Sequence, residues 1–419
     1  MNSGGSLGSR LDKWHGHYAE RARGMVASEV RALFAVASRP EIVSLAGGMP
    51  YVSALPMEQI GELMADLLAH RGAEALQYGS AQGDPGLREQ ICRVMALEGI
   101  QDSSAHPDNV VVTVGSQQAL DLVARIMLDP GDVVVTEAPT YVTAIATFAA
   151  YQARLVHVPM DENGIIPEAL AEALGREPRV KLLYTVPTFQ NPAGVTLRPD
   201  RRQRVLDICH DHGVLVVEDN PYGLLALDDE PVPALRSGAP EDVVYLGSFS
   251  KTLAPGLRVG WALAPPAIRD RLVLAAESAM LSHSAFTQLA VERYLATQPW
   301  HEQLKAFREL YRDRRDAMLS ALETHMPAGV SWTRPRGGFF VWATLPPALD
   351  AKAMLPRAIG ARVAYVPGTG FYADGGGRAN MRLSYCYPPA DQIRQGVARL
   401  AEVVQAEIEL RSTFEGSPS

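Results

Sequence analysis

Only five lysines occur in this chain, and one of them, Lys251, directly follows an apolar run within "VVYLGSFSKTLAPGLRVGWAL". Lys13 falls in the N-terminal tail, Lys305 and Lys352 in helical surface contexts, and Lys181 at the start of a strand. If the protein forms a Schiff base, Lys251 is the candidate by elimination. A solvated loop is the common fate of a lysine, so its neighbours must decide. Ser248 and Ser250 place hydroxyls on either side of Phe249, and Arg258 adds a fork of donors suited to phosphate. Elsewhere, "TVGSQQALDLVARIM" sets Gly115, Ser116 and Gln117 at the start of a helix, where free N–H groups and the helix dipole favour an anion. Alone, that start would be plain N-capping. Two phosphate-suited features and an amine together indicate a phosphorylated cofactor that reacts with an amine.

These residues need elements to hold them. From residue 110 onward, short β-branched runs alternate with helical stretches: 110–114, 133–138, 154–160, 181–187, 214–219, 243–248 and 258–264. Such runs predict a mostly parallel seven-stranded sheet covered by helices, an α/β fold that binds ligands at the carboxyl ends of its strands. Those ends are polar here: "GSQQ", "APTY", "PTFQNPAG", "EDNPY" and "GSFSK". Helices are expected over 27–39, 57–71 and 85–99, and a long helical region over about 266–325. The segment "VSWTRPRGGFFVWATL" reads as a strand pair, "VAYVPGTGF" and "NMRLSYCY" as two more short strands, and 390–411 as a closing helix. The expected division is a disordered tail over 1–20, an N-terminal helix and loop over 21–50 joining the small domain, a large domain over 51–295, and a small α+β domain over 296–419.

Bulk composition narrows the function. A 47% apolar chain of 419 residues with net charge −8 is an ordinary globular protein, and the acidic balance argues against a general nucleic-acid binder. Three scattered cysteines, Cys92, Cys209 and Cys386, form no CxxC pair, so a reducing compartment fits and no disulfide or zinc framework is expected. The N-terminus has no apolar signal region, and no apolar run reaches the ~18 residues of a membrane helix. The expected location is the cytoplasm. His210 and His212 could suggest a metal pair, but they end a predicted helix, where cations are favoured anyway; no metal site is expected.

The combination of amine and phosphate site points to pyridoxal 5'-phosphate. The sequence resembles the fold type I, class I/II aminotransferases, and within them the branch of 2-aminoadipate, kynurenine and multisubstrate aminotransferases. The resemblance runs from about residue 20 to 410. It is carried, in order, by "ASEVRALF", "SLAGGMP", "LQYGSAQGDPGLR", "VTVGSQQALDLVARIMLDPGD", "EAPTY", "PTFQNPAG", "VVEDNPYG", "GSFSKTLAPGLRVGW", "PRGGFFVW" and "MRLSY".

The resemblance implies roles. Lys251 would hold the cofactor as a Schiff base and then shuttle the substrate's proton. Asp219 would pair with the pyridinium nitrogen. Its neighbour Glu218 is the rival, but successive strand residues face opposite ways, and the family's Asp-x-x-Tyr spacing selects Asp219 with Tyr222. Tyr222 and Asn191 would hydrogen-bond the cofactor's phenolic oxygen, with Asn191 also near the substrate, and Tyr141 would stack on the ring. Gly115, Ser116, Gln117, Ser248, Ser250 and Arg258 would surround the phosphate. Tyr78 matches a tyrosine that reaches the phosphate from the other subunit, which implies a homodimer with shared active sites. Arg382 would grip the substrate's α-carboxylate, Gly47 and Gly48 would line the substrate loop, and Arg31 would reach an acidic substrate side chain. Ala193 departs from the threonine many relatives carry, and Pro221 from a turn often filled by Asp-Ala.

The expected activity is a ping-pong transfer of an amino group between an L-amino acid and a 2-oxo acid. A specialised biosynthetic enzyme fits the same residues. A β-lyase, decarboxylase or oxidase would share the constellation, as would the effector module of a transcriptional regulator. That last reading needs a DNA-binding domain ahead of the fold, whereas the resemblance begins near residue 20 with no helix-turn-helix pattern before it.

Overall fold

The computed structural model describes residues 12–23, 25, 33 and 39–415. Apart from Leu33 and Arg39, the helix expected over 27–39 lies outside them, as does Arg31.

The alternating runs fold as one sheet of eight strands. In chain order they are β1 (Val110–Thr113), β2 (Val133–Ala138), β3 (Arg154–Asp161), β4 (Gly164–Ile165), β5 (Val180–Thr185), β6 (Leu215–Asp219), β7 (Val243–Ser248) and β8 (Gly260–Leu263). Across the sheet they lie in the order β1-β8-β7-β6-β5-β2-β3-β4. The block from β7 to β3 is parallel throughout, whereas β8 runs antiparallel to both β7 and β1. Every residue of β1, β7 and β8 is buried, as expected of strands covered on both faces. The eighth strand, β4, corrects the expected seven. It is a two-residue hairpin partner of β3, reached through Gly164 at φ +91°, and is too short to leave a periodic run.

The helices that matter to the site start at strand ends. Helix α1 (Met57–Ala75) and α2 (Pro85–Ala96) precede the sheet, and Asp84 caps α2 by accepting from Leu87 N at 2.8 Å. Helix α3 (Ser116–Met127) begins right after β1 and buries Ala119, Leu120, Leu122, Val123 and Ala124. Helix α4 (Val142–Ala150) follows β2. The long helical region is three helices, α5 (Pro266–Met280), α6 (Ala285–Thr297) and α7 (Trp300–His325), separated at Leu281 and Pro299.

A second sheet joins β9 (Ser331–Trp332), β10 (Phe340–Thr344), β11 (Val366–Pro367) and β12 (Asn380–Ser384) in the order β9-β10-β12-β11, all antiparallel. The predicted strand pair is β9 with β10, interrupted by the turn at Gly337 and Gly338. Helix α8 (Ala390–Glu415) packs along α7 and closes the unit. Val43–Ser44 pairs in parallel with Val363–Ala364, and Ser384 N donates to Leu45 O at 2.7 Å. The chain before the first large helix is thereby tied to the small sheet, and its glycines arrive beside β12.

Candidate active site

A cavity of about 430 Å³ opens between the two sheets. Its wall includes Gly48, Ser116, Gln117, Tyr141, Asn191, Asp219, Tyr222, Ser248, Ser250, Lys251, Arg258 and Arg382. Most of these residues lie at or just beyond the ends of β1, β2, β5, β6 and β7, while Gly48 comes from the N-terminal loop, Arg258 from just before β8 and Arg382 from the middle of β12. Gly115 and Gly47 directly precede the wall residues Ser116 and Gly48 in the chain. Tyr78 is elsewhere, 78% exposed on the outer surface.

Lys251 lies three residues beyond β7, and its Nζ donates to Gly48 O at 2.8 Å. Burial of the amine pulls its pKa down to about 8, with Arg382 and Arg258 adding to the effect and Cys386 and Asp219 opposing it. A buried amine near neutrality is a nucleophile that can also carry a proton.

Asp219 ends β6 and is buried. Its Oδ2 accepts from Tyr184 Oη at 2.8 Å. Among the described residues its Oδ1 has no hydrogen-bond partner. Burial pushes the carboxyl up to about 6, against the Tyr184 hydrogen bond and the Lys251 charge. Glu218 faces the other side of the sheet and accepts from Leu235 N at 2.8 Å and Arg236 N at 2.9 Å. Strand alternation thus separates the two carboxylates, and only Asp219 faces the cavity.

The anion end is built from backbone. Gly115 adopts φ +76° ahead of Ser116, and a Cβ there would stand 2.5 Å from Arg258 Nη2. Arg258, itself at φ +53°, donates from that nitrogen to Val114 O at 2.8 Å. Ser248 Oγ donates to Ser250 Oγ at 2.9 Å and accepts from Ser250 N at 3.0 Å. Gln117 Nε2 donates to Thr147 Oγ1 at 2.7 Å, which leaves its buried Oε1 unpaired among the described residues. Gly260 on β8 is as constrained as Gly115, since a Cβ there would lie 2.6 Å from Ser116 N.

At the opposite end, Arg382 occupies the inner strand β12, opposite Trp342 and Val366. It donates from Nη1 to Asn191 Oδ1 at 2.9 Å and from Nη2 to Ala46 O at 2.8 Å. Its guanidinium lies 4.2 Å from the Phe340 ring centre and 5.1 Å from that of Phe371. Burial lowers its pKa to about 10, so it stays cationic at neutrality. Tyr222 packs edge-on to Phe339 and Phe340, and burial holds both its phenol and that of Tyr141 protonated.

Sequence reasoning missed several contributors. Tyr184, the donor to Asp219, sits inside an apolar strand where only the register reveals it. Cys386 donates its thiol to Met49 O at 3.1 Å and lies near Gly47 O, tying down the glycine loop. Glu137 and Gln190 form a buried pair behind Asn191. His210 and His212 have separate partners, Asp242 Oδ2 and Ile208 O, each at 2.9 Å, and do not converge.

The residues present fit pyridoxal phosphate. An unpaired buried carboxylate oxygen awaits a cationic ring nitrogen, and glycine-lined N–H groups beside a guanidinium suit a phosphate. A buried amine lies within the same cavity.

The chain is similar to known proteins over most of its length. The Aminotransferase class I and II family matches residues 40–400. The aromatic-amino-acid aminotransferase 1 of Thermococcus litoralis is 42% identical over 397 residues, spanning 94% of this chain and 95% of the relative. The multiple substrate aminotransferase of Thermococcus profundus superposes with a TM-score of 0.89 at 40% identity, covering 95% of this chain and all of that one. The alpha-aminoadipate aminotransferase of Thermus thermophilus, solved with N-(5'-phosphopyridoxyl)-L-leucine, superposes with a TM-score of 0.88 at 38% identity, again over 95% of this chain.

Proposed function

The chain belongs to the class I and II aminotransferases, pyridoxal-phosphate-dependent enzymes that move an amino group between an amino acid and a 2-oxo acid, and on that premise we propose how its residues divide the work. When bound, the cofactor supplies an aldehyde to take up the amine and a ring that accepts electron density from the substrate's Cα. Lys251 is the residue that would hold the cofactor, and its Nζ, as a free amine, would take up the proton of the substrate's Cα and give it back as a general acid. The unpaired Asp219 Oδ1 would hold the ring nitrogen in its protonated form, while the hydrogen bond from Tyr184 orients that carboxylate and favours its ionised form. Ser116, Gln117, Ser248, Ser250, Arg258 and the N–H groups after Gly115 bind the phosphate. Tyr141 would cover the ring, and Tyr222 and Asn191 would hydrogen-bond the phenolic oxygen. Arg382 binds the substrate carboxylate with two parallel donors, which sets the Cα–H bond toward Lys251. Gly47 and Gly48 let the backbone approach the substrate; at Gly48 a Cβ would lie 2.8 Å from Phe340 Cζ.

The observation that carries this reading is the convergence of Lys251, the unpaired Asp219 oxygen and Arg382 on one cavity. Its test is a half-reaction. An L-amino acid added without acceptor yields one 2-oxo acid per active site and leaves the amine on the cofactor. Ammonia release, or carbon dioxide in place of the 2-oxo acid, would identify one of the related chemistries instead.

The enzyme works as a homodimer in which Tyr78 reaches the partner's phosphate site. Supporting this, Leu76 and Tyr78 are each more than three-quarters exposed, and an apolar groove lined by Leu55, Ile60 and Leu257 runs beside the Arg258 loop. The cytoplasm is its location, in keeping with three free cysteines and with the absence, among the described residues, of any helix long and apolar enough to cross a membrane. Arg31, which lies outside the described residues, is proposed on the sequence resemblance alone as the partner of an acidic substrate side chain. Arg31→Ala should lower kcat/KM for dicarboxylic amino acids at least tenfold and leave aromatic ones unchanged; equal effects on both would remove that role. A specialised amino-acid biosynthetic role is consistent with the same site.

A further inference from the structure

Glu137, next to last in β2, is a carboxylate buried on every side. Three donors converge on it. Thr185 Oγ1 donates to Oε1, Val186 N donates to Oε2 at 3.2 Å, and Gln190 Nε2 donates to Oε2 at 3.0 Å. A carboxylate can accept all three, whereas an amide in its place would turn one acceptor into a donor. Burial raises the Glu137 pKa and these donors oppose the rise.

Gln190 passes the constraint onward. The second hydrogen of its Nε2 goes to Pro139 O at 2.8 Å, and its Oε1 accepts from Ala193 N at 2.7 Å. Its backbone closes the same turn, donating from N to Val195 O at 2.9 Å and accepting from Gly194 N at 2.6 Å. Gly194 adopts φ +70° there, and a Cβ would lie 2.3 Å from Phe340 O. The turn over 190–195 is thereby pinned from both sides, and its one polar side chain toward the cavity is Asn191, which accepts from Arg382 at 2.9 Å.

We infer that Glu137, acting through Gln190, is a positioning residue that sets Asn191 against Arg382 and so tunes binding of the substrate carboxylate. The inference rests on the proposed role of Arg382 and Asn191. Glu137 is not part of the cavity wall; its effect is transmitted through one side-chain hydrogen bond and the turn it closes.

The test is steady-state kinetics on cofactor-loaded Glu137→Gln, Gln190→Ala and Asn191→Ala, with the doubles Glu137→Gln/Asn191→Ala and Gln190→Ala/Asn191→Ala. Glu137→Gln and Gln190→Ala should each raise KM for the amino acid about tenfold, with kcat changed less than about threefold. Cofactor bound per chain should stay the same. In the Asn191→Ala background either change should add less than about twofold, because the contact it serves is already gone. A merely structural role predicts the same loss in both backgrounds, or loss of cofactor together with KM, and would overturn the inference. So would an unchanged KM in both single variants while Asn191→Ala alone raises it. An unchanged KM in Asn191→Ala would instead overturn the reading of the carboxylate site, and this inference with it. Should Glu137→Gln fail to fold, Gln190→Ala carries the comparison, since it removes the link and leaves the buried carboxylate its Thr185 and Val186 donors.

Discussion

At the scale of single residues, the site depends on moving two ionisable groups toward neutrality. Burial pulls the Lys251 amine from the ordinary lysine range down to about 8. At pH 7 roughly a tenth of such amines are unprotonated, against roughly one in three thousand at the usual value. Covalent uptake of pyridoxal phosphate by the cofactor-free protein should therefore speed up as pH rises through about 8 and level off above it. The groups facing the amine work in both directions, with Arg382 and Arg258 lowering its pKa and Asp219 and Cys386 raising it. Stopped-flow measurement of uptake across pH checks this, and a rate still climbing above pH 10 would contradict it. Lys251 was legible in the sequence because lysine is scarce and the residues around it are small and polar. The preference for Asp219 over Glu218 followed from strand alternation, and the separate partners of the two carboxylates give the physical reason. Tyr184, Glu137 and Gln190 were not legible. Each sits inside an apolar or turn context whose pattern is equally that of plain structure, and only the pairing of β2, β5 and β6 brings them to the site.

At the scale of elements, the phosphate end is a junction of three pieces: the end of β1, the start of α3 and the antiparallel strand β8. Gly260 is the joint. A methyl group there would collide at 2.6 Å with the Gly115 carbonyl carbon and with Ser116 N, both of them backbone that cannot rotate away. Gly260→Ala should therefore lower stability by about 3 kcal/mol and weaken cofactor retention together, as overpacking at a rigid contact does. Thermal melts with and without pyridoxal phosphate check it; a melting temperature equal to that of the parent would show that the junction yields. The strands themselves were readable because continuous Val/Ile/Leu runs mark buried parallel strands. The two-residue β4 was not, since its existence depends on the hairpin at Gly164 and not on any run of its own. Of the two breaks in the long helical region, the one at Pro299 carries a residue type that ends helices, whereas the one at Leu281 was silent. Leu281 takes φ +61°, a conformation its residue type does not announce.

At the scale of the whole molecule, the two sheets supply opposite ends of one cavity. The large sheet contributes Lys251, Asp219 and the phosphate site, and the small one contributes Arg382 on an inner strand. The proposed dimer adds Tyr78, which within its own chain lies outside the cavity. Sedimentation should give twice the chain mass, and a monomer with full activity would remove Tyr78 from the phosphate site. The exposure of Tyr78 within its own chain is in keeping with the motif's resemblance, which implies a tyrosine directed at a partner and not at its own cavity. All of these assignments turn on where the cofactor is attached. Borohydride reduction of the loaded enzyme, followed by peptide mapping by mass spectrometry, locates that attachment directly. The account predicts a single pyridoxyl group, carried on Lys251 and lost in Lys251→Ala. A pyridoxyl group on Lys181 or any other lysine, or one that survives in Lys251→Ala, would contradict it.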